Sequence, residues 1–592
     1  MDPIEEIKAK IDIVPFVSEY VQLLRAGRNF KALCPFHKEK TPSFMVSPEL
    51  GIWRCFGACN EGGDIFKFLM KFEGMDFGEA VRTLAQRTGI TLTGFRPSSD
   101  REQIYKINSL TSQFYHYLLT NHPVGRQVLS YLKKQRGIKD QTIKGFGLGF
   151  APEKQDALKK FLFEKKGYKP EEVARAGLFV NMEGKFLDRF QGRIIFPLRD
   201  HRGNIVGFSG RILPKDEGKN LGKYVNIPET PVYQKRRHLF GLDLSKDEIK
   251  DKNSAVIVEG EFDLLSCWQS GIRNVVGLKG SVLTQDQARL ILRFTQNIIF
   301  ALDRDVAGDR ASRAGVLTAE REGLGTKIAT LGSFRDPDEA ARMDPAGFKN
   351  KLSRAKGSFD YFIEQAFVKF NPKTADGVRM ISQELTSLFA SIQDAILQAH
   401  YIKLLAQKLE IPEGAVAAQV DHVAKTLEQP VSQDQKEQVS KPRRQLLEEH
   451  LFALSLAHRP VFLTTPQVGS LLSEPVLIRL RDQVTRFLEK NKKKKFSTSL
   501  FVKFLPKELV EAASSLLLDP SSNLDYEQKK VLKDLDRILK EIEIIEVQDK
   551  ISRLTGEIRE KEMKGLSSTS QQQDLSGLIT TLSVLQDESS PS

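Results

Sequence analysis

Two pairs of metal-binding side chains near the start of the chain constrain its local fold more than any other feature. Cys34 and His37 form the first pair, in CPFH, and Cys55 and Cys59 form the second, in CFGAC. Thiolate sulfur and imidazole nitrogen both suit Zn²⁺, and two such pairs match the ligand set of a tetrahedral zinc site. Because four protein ligands leave no open position for catalysis, we expect one structural zinc that holds a small β-ribbon, residues 1–95, together.

The alternative interpretation is a set of buried thiols and a surface histidine, but four ligand types at this spacing rarely arise by chance. The chain has only four cysteines in 592 residues, too few for a disulfide framework. Aromatic and basic residues alternate around the ligands. They could stack bases and follow phosphates of a single strand, or the rings could simply form the core of the ribbon. These residues are Phe36, Phe44, Trp53, Phe56, Lys31, Lys38, Lys40 and Arg54.

The length and the apolar patterning predict several domains. Between about 103 and 425, the short apolar runs AVIV, NVVGL, NIIFAL and TKIATL alternate with helical patterns, which is typical of a parallel α/β sheet. The polar stretch 426–444 predicts a linker. Residues 445–592 predict an all-helical domain, because apolar residues repeat at helical spacing at Val531, Leu535, Ile538, Ile542 and Ile545.

Charge and hydropathy indicate the kind of partner and the compartment. Lys and Arg number 89 against 76 Asp and Glu, a net charge of +13, which favours a polyanionic partner. No apolar run reaches the roughly 18 residues of a membrane span, and the opening MDPIEEIKAK carries no signal-type segment. We therefore expect a soluble cytoplasmic protein with no membrane partner. A lysine run such as Lys492–Lys495 is more often a solvated loop or helix face than a functional site.

Acidic residues follow three of the apolar runs. Glu259 comes directly after AVIV, with Asp263 four residues later. Asp303 and Asp305 follow NIIFAL, and the Asp336-Pro-Asp338 group follows TKIATL. Ligands of a parallel sheet bind beyond the carboxyl ends of its strands, so we expect these acids to converge. Each group alone is more often a helix cap or a loop. Together they favour a site for Mg²⁺ or Mn²⁺ that catalyses nucleotidyl transfer.

The spacing of Glu259 and the Asp303-x-Asp305 pair resembles the TOPRIM module, which primases, topoisomerases and some nucleases share. Longer sequence motifs are more specific to one family. CPFHKEKTPSF with IWRCFG resembles the zinc-binding domain of bacterial DnaG primases. RFQGRIIFPLRDHRGNIVGFSGR and KYVNIPETPVYQKRRHLFGL resemble the basic part of the same family's polymerase core. The resemblance implies a DNA-dependent RNA polymerase that makes short RNA primers on single-stranded DNA from NTPs, as a monomer that associates with the replicative helicase.

The resemblance also implies an architecture and residue roles. Residues 1–95 would be a zinc ribbon, 103–250 a basic part of the core, 251–345 the TOPRIM subdomain and 346–425 its helical end. The linker 426–444 would lead to a helicase-interaction domain, 445–592. Glu259, Asp303 and Asp305 would be catalytic. The metal-site acids would be Glu259, Asp263, Asp303, Asp305, Asp336 and Asp338, and nucleotide and template would contact Arg193, Lys223 and Lys235.

Two departures from the family pattern bear on these roles. The second knuckle is Cys-x3-Cys where Cys-x2-Cys is usual, which alters the turn between its ligands. Arg304 replaces the glycine of Asp-Gly-Asp, which alters the charge balance beside the metals.

Rival functions remain open from the residues alone. A TOPRIM nuclease or topoisomerase would cleave DNA without NTPs, and a non-catalytic zinc protein would only bind it. A fused primase-helicase is disfavoured because no G-x-x-x-x-G-K-[ST] phosphate loop occurs.

Overall fold

The computed structural model describes most of the chain, in twelve ranges. These are 2–92, 100–154, 156–182, 185–216, 222–280, 282–303, 306–392, 394–428, 442–491, 496–518, 528–563 and 569–589. The chain divides into two compact units, one of Met1–Pro97 with Asp434–Ser592 and the other of Ser98–Gln433. Asp305, Arg304 and the run Lys492–Lys495 lie outside the described residues.

The N-terminal segment forms the predicted ribbon, a five-stranded antiparallel sheet with strands in sequence order. Its strands are Leu24–Ala26, Asn29–Ala32, Phe44–Ser47, Ile52–Cys55 and Gly62–Gly63, and its helices are Pro3–Lys10, Ile13–Ser18, Ile65–Glu73 and Phe77–Thr88. Phe44 and Trp53 are fully buried and their rings stack at 5.2 Å. These two rings therefore belong to the core, which is the second of the two interpretations that the sequence left open for them.

The first part of the second unit is a four-stranded antiparallel sheet with a long helix packed on it. In spatial order its strands are Tyr224–Asn226, Ile205–Ile212, Arg193–Arg199 and Gly149–Ala151, and the hairpin Phe179–Met182 with Lys185–Asp188 lies apart from it. The helices are Asp100–Thr120, Arg126–Ser130, Asp140–Phe146, Ala157–Lys159 and Pro170–Ala174, with π-helical turns at Tyr131–Gln135 and Lys160–Lys165.

A six-stranded sheet follows, and it confirms the predicted parallel core. Its four central strands are mutually parallel and coincide with the four apolar runs. In spatial order the strands are Leu239–Phe240, Val275–Leu278, Ala255–Val258, Asn297–Phe300, Gly325–Ile328 and Lys356–Gly357. The helices between and around them are Leu242–Asp251, Glu261–Gln269, Gln285–Leu292, Val306–Glu322, Pro337–Met343 and Pro345–Ser353.

The two outer strands of this sheet lie beyond the predicted boundaries of 251 and 345. Leu239–Phe240 and Lys356–Gly357 each pair antiparallel with a central strand. Each is only two residues long and joins the sheet through backbone hydrogen bonds, so neither has a side-chain pattern that sequence reasoning could detect.

Helices make up the remainder. Ser358–Lys369, Ala375–Phe389, Ala395–Leu409 and Glu413–Glu428 complete the second unit. The C-terminal helices are Arg443–His458, Pro466–Leu471, Pro475–Lys490, Thr498–Phe504, Lys507–Leu518, Gln528–Met563 and Thr569–Ser589. The predicted repeat packs its first four members, Val531 to Ile542, into a helical core. Helices also extend to Glu428 and begin at Arg443, so the predicted linker 426–444 includes both helix ends. Among the described helices, none combines the length and apolarity that crossing a bilayer requires.

Candidate active site and zinc centre

The predicted acids of the six-stranded sheet meet in one open cavity of about 830 Å³. Glu259 and Asp303 follow neighbouring parallel strands, and the Asp303 backbone N–H donates to Glu259 Oε1 at 3.2 Å. Asp263, Asp336 and Asp338 line the same cavity. The convergence that sequence reasoning expected therefore occurs for these five acids, while Asp305 lies outside the described residues.

Asp336 and Asp338 reach the cavity by a different route from the one that the sequence suggested. They stand at the start of helix Pro337–Met343, eight or more residues after strand Gly325–Ile328 ends. Asp336 caps this helix by accepting the Glu339 N–H at 2.8 Å. The Asp338 N–H in turn donates to Asp263 Oδ1 at 3.1 Å. A helix start, and not a strand end, therefore brings the third acidic group to the cavity.

Asp263 shows how strongly negative this cavity is. Burial, followed by the charges of Asp303, Asp336 and Asp338, raises the pKa of Asp263 to about 7. Its other oxygen, Oδ2, accepts the Gly260 N–H at 2.8 Å. A side chain at position 260 would bring a Cβ to 2.7 Å from that oxygen, so the Asp263 carboxylate would have to shift to make room for it. Clustered carboxylate oxygens are the hard ligands that Mg²⁺ prefers, and the donor set fits that ion.

Basic side chains already form ion pairs with the Asp338 carboxylate. Arg136 Nη1 donates to Oδ2 at 3.0 Å, and Arg342 Nε and the Ser266 hydroxyl donate to Oδ1 at 3.0 and 2.5 Å. The Asp338 side chain is only 6% exposed. Its role as a metal ligand would therefore compete with two guanidinium groups.

Three arginines that sequence reasoning did not single out line this cavity, and two of them, Arg136 and Arg211, pack on one ring. Arg136 lies 4.1 Å from the centre of the Phe262 ring, and Arg211 lies 4.7 Å from the same centre. Arg211 also donates to the Tyr224 hydroxyl at 3.1 Å. Both guanidinium groups are thus held beside the acids, where they can contact anionic phosphates. Arg211 lies within the quoted phrase GFSGR, which could have identified it, whereas no local pattern marks Arg136.

The three predicted basic residues do not all reach the cavity. Lys223 lines it and is exposed. Arg193 is 6% exposed and donates to the backbone carbonyls of Gly210 and Gly222 at 3.3 and 3.0 Å, so it tightens the antiparallel sheet. Lys235 is exposed and is not among the cavity-lining residues. The structure therefore brings only Lys223 of the three to the acids.

A buried ion pair completes the cavity wall. Lys279 Nζ contacts Glu261 Oε1, and the two side chains are 3% and 8% exposed. Burial opposes ionisation of Glu261, but the Lys279 ammonium lowers the pKa of this carboxyl below its usual value. Glu261 lies only two residues from Glu259, yet its charge is already balanced by a side chain from the end of another strand.

The zinc ligands also come together. The candidate ligand atoms of Cys34, His37, Cys55 and Cys59 all lie within 4.8 Å of one another. Cys34 Sγ is 3.7 Å from Cys59 Sγ, and Cys55 Sγ is 3.7 Å from His37 Nδ1. A tetrahedral ion with Zn–S bonds of about 2.3 Å separates its sulfur ligands by about 3.8 Å, so the cluster fits Zn²⁺ and the Cys-x3-Cys turn can chelate it.

Comparison with protein-family models covers most of the chain. Residues 1–99 match the family described as CHC2 zinc finger, and residues 114–246 match the N-terminal domain of the DNA primase catalytic core. Residues 256–341 match a Toprim-like family, and residues 359–414 match the DnaB-helicase binding domain of primase. The zinc finger makes Zn²⁺ a structural cofactor, and the Toprim-like match implies Mg²⁺. The last match makes the replicative helicase a partner.

Curated relatives agree with these matches. The chain is 36% identical over 420 residues to a DNA primase of Clostridium acetobutylicum, covering 70% of this chain and 69% of that protein. It is also 36% identical over 436 residues to a DNA primase of Geobacillus stearothermophilus, covering 71% of each. A crystal structure of the zinc-binding and RNA polymerase domains of Aquifex aeolicus primase is 31% identical, with a TM-score of 0.49 and coverage of 71% of this chain and 99% of that one. The family-model matches and the curated relatives that are 36% identical over about 70% of their length show that this chain belongs to the DnaG family of DNA primases, which synthesise RNA primers on single-stranded DNA.

Proposed function

We propose that the acidic cavity is the site at which two NTPs are joined on the template. Glu259, Asp303 and Asp305 would hold the catalytic Mg²⁺, with Asp336 close by and Asp263 and Asp338 as supporting acids. The observation that carries this proposal is the hydrogen bond from the Asp303 N–H to Glu259, which joins two strand ends at one cavity. When bound, Mg²⁺ would neutralise phosphate charge and favour ionisation of the attacking 3′-hydroxyl.

The basic residues of the cavity complete the proposed mechanism. Arg136, Arg211 and Lys223 would bind the triphosphates and the template backbone, because these groups lie beside the acids and carry the opposite charge. The stacking of both arginines on Phe262 would hold the guanidinium groups in place as the 3′-hydroxyl of one NTP approaches the α-phosphate of the other. Catalysis would rest on positioning and charge neutralisation, without a covalent enzyme intermediate.

The test replaces Asp303 by asparagine, which preserves shape and removes one negative charge. We expect primer synthesis from labelled NTPs on single-stranded DNA to fall by about 100-fold or more, because a preorganised charge at the reaction centre is lost. Manganese binding, followed by electron paramagnetic resonance, should weaken in parallel. Asp247→Asn is the matched control, since Asp247 is exposed on helix Leu242–Asp251 and is not among the cavity-lining residues. Wild-type synthesis and metal binding by Asp303→Asn would remove this cavity from the mechanism.

The same assay separates the rival functions. RNA products that require magnesium and NTPs are expected, whereas a nuclease or topoisomerase would cleave or relax DNA without NTPs, and a protein that only binds DNA would give no product.

We also propose that the C-terminal helices, residues 445–592, contact the replicative helicase, that the free enzyme is a monomer and that it works in the cytoplasm. The family match for helicase binding lies elsewhere, at residues 359–414, which the sequence reading assigned to the helical end of the core. The described helices of that segment expose Val368 and Ile396, each 83% accessible. The two segments are therefore competing candidates for the contact, and deletion of residues 445–592 separates them.

A further inference from the structure

Beside the zinc ligands lies a carboxylate that is not one of the four ligand residues. Glu39 follows His37 by two positions, and its side chain is 10% exposed. When the cysteines bind metal as thiolates, their negative charges repel a carboxylate that lies this close to them. Its burial there therefore needs compensating hydrogen bonds, and the structure supplies three, from the Cys34 N–H, the Ser43 N–H and the Ser43 hydroxyl.

The Glu39 carboxylate joins the first ligand pair to the next strand. Oε1 accepts the Cys34 N–H at 2.6 Å and the Ser43 N–H at 3.0 Å. Oε2 accepts the Ser43 hydroxyl and lies 3.0 Å from His37 Nε2. The Ser43 Oγ is in turn 3.3 Å from Cys55 Sγ, so the network extends from the first knuckle to the second.

The His37 ring is oriented by this network. Its Nδ1 points toward the ligand cluster, 3.7 Å from Cys55 Sγ, and its Nε2 points toward Glu39. A ring that binds metal through Nδ1 carries its proton on Nε2, and that N–H needs an acceptor. The Ala58 N–H donates to Nε2 at 3.2 Å in this structure, and as a donor it cannot accept a proton from that nitrogen. Glu39 is therefore the partner that a metal-binding ring can use.

The glycine of the second knuckle makes room for this arrangement. A Cβ at Gly57 would lie 2.5 Å from Ser43 Oγ, 2.7 Å from His37 Nε2 and 2.8 Å from Glu39 Oε2. The lengthened Cys55–Cys59 turn thus packs its backbone directly against the Glu39 network. Both knuckles meet at the same carboxylate.

We propose that Glu39 is a positioning residue of the zinc centre, which fixes the Nδ1-binding tautomer of His37 and joins the two knuckles through Ser43. It touches the ligands and not the ion. Carboxylates that accept the free N–H of a metal-bound histidine typically change metal affinity by about 10- to 100-fold.

The test uses Glu39→Gln in the full-length zinc-loaded protein. The glutamine oxygen can still accept a backbone N–H, but the NH2 group that replaces the second oxygen is only a donor and cannot accept the His37 Nε2–H. We expect zinc affinity, measured by competition with a chromophoric chelator, to fall by about 10- to 100-fold. The visible absorption of the cobalt-substituted protein should also change, because the imidazole ligand is no longer held in one orientation.

Two controls make the result specific. Glu61→Gln changes a glutamate of the same segment whose side chain pairs with Lys71, and it should bind zinc within about threefold of the wild type. In a His37→Cys background the fourth ligand needs no tautomer, so adding Glu39→Gln should lower zinc affinity by clearly less than it does in the wild type. Wild-type affinity in Glu39→Gln, or an equal loss in the His37→Cys background, would overturn the proposal.

Discussion

Replacing Lys279 by methionine should destabilise the six-stranded sheet domain through the charge that it leaves behind. Lys279 and Glu261 pair in the cavity wall with side chains 3% and 8% exposed. Methionine is close to lysine in length and apolar, so it fills the space of the lysine stem while removing the ammonium. The Glu261 carboxylate then remains buried without its cation, or takes up a proton from solvent.

The expected loss follows from that burial. Removing one partner of a buried ion pair typically costs about 3–5 kcal/mol, because an uncompensated charge stays in a medium of low polarity. The cavity is open to water on one side, so we expect the lower end of this range, about 3 kcal/mol, in the free energy of unfolding. Replacing both partners removes both charges. The double variant Glu261→Gln/Lys279→Met should therefore recover to within about 1 kcal/mol of the wild type.

Urea unfolding followed by tryptophan fluorescence measures these values. The chain has two tryptophans, and Trp268 lies on helix Glu261–Gln269, the helix that carries Glu261. Trp53 belongs to the other unit, so a Trp53→Phe background restricts the signal to the unit under test. If Lys279→Met cost less than about 1 kcal/mol, or if the double variant lost the sum of the two single losses, the charge coupling inferred from burial would be refuted.

Two further predictions concern acidity and the helicase contact. Burial raises the pKa of Asp188 from 3.8 to about 6, although the Phe190 N–H and the Tyr115 hydroxyl lower it. The protonated Asp188 carboxyl therefore contributes its full stabilisation below pH 3.8, and this contribution is lost as the pH rises through 6. Relative to the wild type, Asp188→Asn should gain up to about 3 kcal/mol in unfolding free energy between pH 4 and pH 7 by urea titration, and a pH-independent difference would contradict this. Deleting residues 445–592 should leave basal synthesis on naked single strands unchanged and remove stimulation by helicase. Loss of stimulation in Ile396→Lys, with full stimulation of the truncated enzyme, would place the contact at residues 359–414 instead.

Sequence patterns were sufficient to predict the central sheet and the acids that follow its strands. Four apolar runs became four parallel strands because each is a short apolar segment flanked by helices, and Glu259 and Asp303 stand just beyond the ends of neighbouring strands. The pairwise spacing of the cysteines and His37 likewise identified a chelating cluster. These features are local in sequence, and each is a repeat or spacing that a reader of the chain can count.

The amino-acid sequence by itself thus determined the four central strands, the helical C-terminal segment and the residues that we expect to bind zinc and magnesium. Only the tertiary structure decided which partner each charged side chain contacts. Arg136 reaches Asp338 across 202 positions, Lys279 neutralises Glu261, and Arg193 turns inward to backbone carbonyls instead of lining the cavity. The reason is physical: an ion pair depends on distance and burial in the folded chain, and residues far apart in sequence carry no local pattern that reveals either.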